Sequence, residues 1–194
     1  MGSHTEYSFY LCSLMKHLPL SRIFYVFVLV ALTTGCNQFE SFTNFTLKYE
    51  QDVKIESSTG INLPFNIATP QTETNAESEF ESNDTEKKYI KTISLDSLVL
   101  TLFDPPNEDF SFLEEIAIFI NADGLEEQRI AWKSPVPSST TNVLVLDCTD
   151  EDLQEYIKKE KFSLRLKVVT DELVTRDHYF RIRSAYSVSA KLRE

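Results

Sequence analysis

From Phe45 onward, apolar side chains recur at every second position over short stretches, and turn-forming residues separate the stretches. Phe45, Leu47 and Tyr49 alternate with Thr46 and Lys48, the period of a strand with one buried face. Ile61, Leu63, Phe65 and Ile67 repeat the pattern after Ser57-Ser58-Thr59-Gly60; Pro64 cannot donate to a ladder, which places that segment at a sheet edge or in an extended bridge. Ile93, Leu95, Leu98, Leu100 and Leu102 share one face only if the phase shifts between Leu95 and Leu98, as at a bulge. Ile116–Ile120 is apolar on both faces and reads as a central strand covered on both sides. Ala122-Asp123-Gly124 is a turn, and Ile130 with Trp132 marks the returning strand. Val143–Leu146 reads as another buried strand.

Two longer strands close the chain. Phe162, Leu164, Leu166 and Val168 face one way, with Ser163, Arg165 and Lys167 opposite; from Phe180 to Leu192 every even position except Ser184 is apolar. If these strands form a hairpin centred near Val174, Arg165 lies opposite Arg183 and Lys167 opposite Arg181. That register gathers four cations on one outward face, a possible surface for an anionic partner held by charge-assisted contacts. Local compensation, by acids on a neighbouring strand or by those of the loop between Glu73 and Glu86, is the alternative explanation of the same charges.

Helical periodicity is scarce. Thr149-Asp150-Glu151-Asp152 has the hydroxyl and acids of a helix start, and Leu153, Tyr156 and Ile157 follow at helical spacing, predicting one short helix around residues 150–159. Residues 71–86 are acidic and nearly without apolar side chains, Ala76 and Phe80 excepted, and read as a mobile loop. About eight strands and one helix predict an all-β, antiparallel, immunoglobulin-like sandwich spanning residues 42–194 as a single domain. The sandwich of desiccation-associated LEA-type domains is a related architecture, offered on fold-level analogy.

The N-terminal region follows a different pattern. Lys16, His17 and Arg22 precede Ile23–Leu32, ten nearly pure hydrocarbon residues, and Leu32-Thr33-Thr34-Gly35-Cys36 follows. Basic, then apolar, then small is the layout of a secretory signal peptide, and the run is shorter than the roughly 20 residues a membrane-spanning helix needs. The junction resembles the lipobox of bacterial lipoproteins, with looser sequences of this kind found in Bacteroidota. That resemblance implies a leader over residues 1–35, cleavage before Cys36, acylation of Cys36, a lipidated tether over residues 36–41 and an outer-membrane address in the cell envelope. Met15 opens a more typical leader than Met1. Asp96-Ser97-Leu98 resembles the short sequence that Bacteroidota glycosylate on exported proteins, which makes Ser97 a possible glycosylation site.

Charge and chemistry narrow the function further. Without Lys16, Arg22 and Glu6 of the leader, 17 basic residues face 29 acidic ones, a formal charge of −12 that opposes binding to nucleic acid or anionic lipid. A membrane partner is then reached through the lipid. Beyond the junction, Cys148 is the remaining cysteine and follows an apolar run, as a small buried hydrophobe would. His178 is the remaining histidine; paired-histidine zinc sites, Gly-rich phosphate loops and a G-x-S-x-G elbow have no counterpart, and no cofactor or metal is expected. Three functions stay open: a noncatalytic envelope lipoprotein that binds another component, a glycan-binding module using exposed aromatics such as Tyr179 or Trp132, and a hydrolase using carboxylates near Asp104–Asp109.

Overall fold

In the computed structural model, residues 42–57, 62–138 and 141–193 are described. The expected leader (residues 1–35), Cys36, the expected tether (36–41) and residues 58–61 lie outside the described residues. Among the described residues, ten strands form two antiparallel sheets, an all-β sandwich. Sheet A has the order β1 (Phe42–Ile55), β10 (His178–Lys191), β4 (Ile90–Asp104), β7 (Val143–Val145). Sheet B has the order β2 (Phe65–Ala68), β9 (Lys161–Thr170), β5 (Leu113–Asn121), β6 (Gln128–Lys133), β8 (Asp147–Cys148), and β3 (Thr72–Glu73) also pairs with β9. Two of these strands have only two residues, too short to leave an alternating pattern, which is why the sequence predicts about eight.

Period-two residues build the core between the sheets. Leu47, Tyr49, Val53 and Ile55 point inward from β1, and Phe180, Ile182, Ser184, Tyr186, Val188 and Ala190 from β10, all buried. The rings of Tyr49 and Phe162 meet edge to face across the layers at 5.2 Å, and those of Phe110 and Phe180 at 5.9 Å. The phase shift in β4 is a register irregularity where Ala185 faces Ser97 but Tyr186 faces Leu95, so Asp96 has no partner on β10. β2 begins just after Pro64 and lies on a sheet edge. Gly124 adopts φ 74° in the β5–β6 turn, a conformation open to glycine at little cost.

Four expectations are corrected. The closing strands are not a hairpin: β9 belongs to sheet B and β10 to sheet A, because both edges of each strand are occupied by other partners. Residues 171–177 arch between the layers, with Val174 buried beneath the arch. The acidic segment 71–86 is built rather than loose, containing β3 and helix α1 (Ala76–Ser82), and a 3-10 turn (Lys87–Tyr89) follows it. Ala76 and Phe80, four residues apart on α1, are both buried and hold it to the sandwich. The helix expected around residues 150–159 contracts to one turn, α2 (Gln154–Ile157), with Leu153, Tyr156 and Ile157 buried as its spacing requires. Asp152 accepts the amide protons of Gln154 and of Ile93 on β4, so its acid joins the turn to sheet A as well as starting it. Finally, Val143–Leu146 is not buried throughout. β7 is an edge strand whose Leu144 points inward while Val143 and Val145 stay 42% and 58% exposed.

Candidate functional site

The split between β9 and β10 divides the four predicted cations into two pairs on opposite outer faces. On sheet A, the β1–β10 register sets Glu50 opposite Arg183 and Asp52 opposite Arg181. Arg181 donates from Nε and Nη2 to the two oxygens of Asp52 at 2.7 and 3.0 Å, and Arg183 donates from Nε to Glu50 at 2.8 Å. The Arg181 hydrogen bond holds the Asp52 carboxyl below its ordinary range. Tyr179 continues this face, in a tilted contact with Phe103 at 6.5 Å and with the Lys54 ammonium 5.9 Å from its ring. Ser97 also lies on this face, half-buried opposite Ala185, beside the bulge where the Ser187 hydroxyl donates to Asp96.

On sheet B the register produces two rows. One runs Ala68, Arg165, Phe119, Arg129; the other runs Asn66, Lys167, Ala117, Trp132, Asp147. The Arg165 guanidinium lies 4.2 Å from the Phe119 ring, donates to both oxygens of Glu127 at 2.6 and 2.5 Å, and donates to the Asn66 side chain. The Glu127 hydrogen bonds raise its pKa further. The outward side of β5, expected to be covered by another layer, is instead covered in part by this arginine, and Ala117 and Phe119 stay half-buried. Arg129 repeats the arrangement, its guanidinium 4.5 Å from the Trp132 ring. Among the described residues, neither Arg129 nor Lys167 forms an ion pair. Glu127, Phe119, Arg129 and Asn66 escape the sequence reading, because nothing local shows which strands neighbour β9.

The carboxylates near Asp104–Asp109 and His178 meet at one end of the sandwich. His178 is buried, with Nε2 2.6 Å from Glu108 Oε2, Nδ1 2.9 Å from the Arg176 carbonyl, and its ring 4.4 Å from that of Phe112. Glu108 also pairs with Arg176 at 3.3 Å. Asp109 accepts the Ser111 amide at 2.9 Å, and hydrogen bonds from Ser111 lower its pKa. A cleft of about 330 Å³ opens beside these groups, bounded by Asn107, Ser111, Glu172 and His178. With both ring nitrogens facing acceptors, His178 clamps the Glu108 loop to the 171–177 arch. A second cleft of about 460 Å³ separates Glu73–Ser78 from Lys158–Lys161, with cations and acids interspersed along its wall.

Cys148 is half-buried, its thiol pKa raised chiefly by burial. Among the described residues no three His, Cys, Asp or Glu side chains are placed to hold a metal ion. Among those residues, too, no helix is long and apolar enough to cross a membrane.

The class these observations define is an antiparallel all-β sandwich with charged outer faces. Neither the scan against protein-family models nor the search of curated proteins finds a match. Among solved structures, a chain from Desmodium yellow mottle tymovirus is similar at 8% identity over 79% of this chain and 90% of that one, with a TM-score of 0.26. A likeness that loose carries no argument about what this chain does.

Proposed function

We propose that the protein is a noncatalytic lipoprotein of the bacterial cell envelope, anchored at the outer membrane through Cys36 and serving as a binding or accessory subunit. The observation that carries this reading is the run Ile23–Cys36, basic-flanked, apolar and closed by small residues and a cysteine. β1 begins at Phe42, six residues after Cys36. A tether of that length reaches roughly 20 Å when extended, so an acylated Cys36 keeps the sandwich close to the bilayer surface. Several acyl chains on one residue anchor a domain stably where one chain does so only marginally. A formal charge of −11 for the whole chain leaves little electrostatic attraction to anionic lipid, so the acyl group has to supply the attachment.

Expression of the full chain in a Gram-negative host, followed by detergent phase partition, tests the proposal. The wild-type protein is expected in the detergent phase and Cys36→Ala in the aqueous phase or as uncleaved precursor. Equal partition of the two, with the leader removed from both, rules out lipidation at Cys36.

A further inference from the structure

We propose that the outer face of sheet B, between Lys167 and Trp132, binds an acidic glycan, the hexuronate units contacting Lys167 and Arg129 through their carboxylates and Trp132 through the ring face opposite the Arg129 guanidinium. This names a ligand for the binding role proposed above and rests on that reading only for where such a glycan is met.

The chain is strongly acidic, and its outward cations are mostly paired: Arg165 with Glu127, Arg181 with Asp52, Arg183 with Glu50, Lys54 with Asp177, Lys88 with Glu86 and Lys133 with Asp147. Arg129 and Lys167 form no ion pair among the described residues, which is true also of Lys48, Lys87, Lys91, Lys158 and Lys159, but these two are exposed together on the outer face of sheet B. Of the acids nearest them by register, Glu127 is held by Arg165 and Asp147 by Lys133, while Glu115 accepts a neutral hydrogen bond from Ser134 and keeps its charge. Positive charge is therefore left on a face of a negatively charged molecule, which is the complementarity an anionic ligand needs.

Shape and ring chemistry narrow the class of anion. Lys167 and Trp132 occupy one row with Ala117 between them. One intervening strand sets their Cα atoms about 10 Å apart, with only the small Ala117 between them. Trp132, the chain's one tryptophan, is half-buried on this outward row. A pyranose ring presents C–H groups that pack on an aromatic face, while a guanidinium fork and an ammonium take carboxylate oxygens. Arg165, fixed by Glu127, Asn66 and Phe119, is a positioning residue: it holds the Glu127 carboxylate in an ion pair on the neighbouring row. A neutral sugar would leave Lys167 and Arg129 unused, and a bare phosphate would leave Trp132 unused.

Titration calorimetry of the full chain in detergent with oligogalacturonate at low salt is the test. Binding is expected, weakening as ionic strength rises, and about tenfold weaker in Lys167→Gln and in Arg129→Gln, the loss of roughly one charged contact each. Trp132→Phe is expected to weaken binding with the unfolding midpoint unchanged, whereas Arg181→Gln on the other sheet is expected to bind like wild type. No binding, equal binding of the fully methyl-esterified oligomer, equally strong competition by inorganic phosphate, or equal losses in Arg181→Gln would each overturn the proposal. Partition of the same protein into detergent is read separately, so failure of glycan binding leaves the anchoring result intact.

Discussion

Gln51 occupies an inward position on β1 between Tyr49 and Val53, and both atoms of its side-chain amide are buried without a hydrogen-bond partner among the described residues. Burying an unsatisfied amide costs about 1–3 kcal/mol, so Gln51→Leu is expected to stabilise the fold by about 1 kcal/mol or more, read as a raised urea midpoint. A lowered midpoint would mean the amide has a partner. This polar residue also ends the legible part of β1: Phe45, Leu47 and Tyr49 announce the strand, while Gln51 hides its continuation to Ile55. At the rim, Asp177 shows the opposite balance. A hydrogen bond from Lys54 and the Ser57 amide at 2.8 Å pull its pKa from 3.8 to about 2. A carboxylate depressed in the folded state contributes stability above its unfolded pKa and loses it as pH falls through the folded one. Stability is therefore expected to decline from about pH 4 toward pH 2, and less steeply in Asp177→Asn. Identical declines in the two proteins would remove Asp177 from the acid response.

At the scale of elements, helix α1 makes the clearest claim. Its sequence offers no full apolar stripe, only Ala76 and Phe80 four residues apart, with Glu77 and Glu79 in a first turn that favours acids. Phe80 is 1% exposed and meets the Phe45 ring edge to face at 6.1 Å, so one side chain fastens the segment to sheet A. Phe80→Ala is expected to cost about 3–5 kcal/mol, measured by denaturant unfolding, together with faster amide exchange across 76–82. A loss below about 1 kcal/mol would show that α1 is not docked. The spacing was present in the sequence but too brief to outweigh the acidic composition around it. β9 and β10 are the contrary case. Their alternation is unmistakable and their burial follows it residue by residue, yet their pairing is not local information. Consecutive strands often pair, and here β2 and β5 hold β9 while β1 and β4 hold β10. The proposed cation cluster dissolved for that reason alone, since Arg165 and Arg183 each face outward as their positions require.

For the whole molecule, an all-β sandwich was readable because two-residue periodicity survives in every long strand. The candidate surfaces were not, because each is assembled from three or four strands distant in sequence. Lys167, Ala117 and Trp132 become neighbours only once sheet B is ordered β9-β5-β6. The proposed leader is the reverse: entirely a sequence signal, carried by Ile23–Cys36 and independent of how the sandwich folds. The proposed envelope address rests on it alone. The measurement that bears most directly on this account is the intact mass of the protein extracted from the membranes of a lipoprotein-processing bacterium. The account predicts a mature chain beginning at Cys36, heavier than its sequence by a diacylglycerol or triacyl modification that maps to the N-terminal peptide. A chain that retains residues before Cys36, or one that begins there with no added lipid mass, would contradict it.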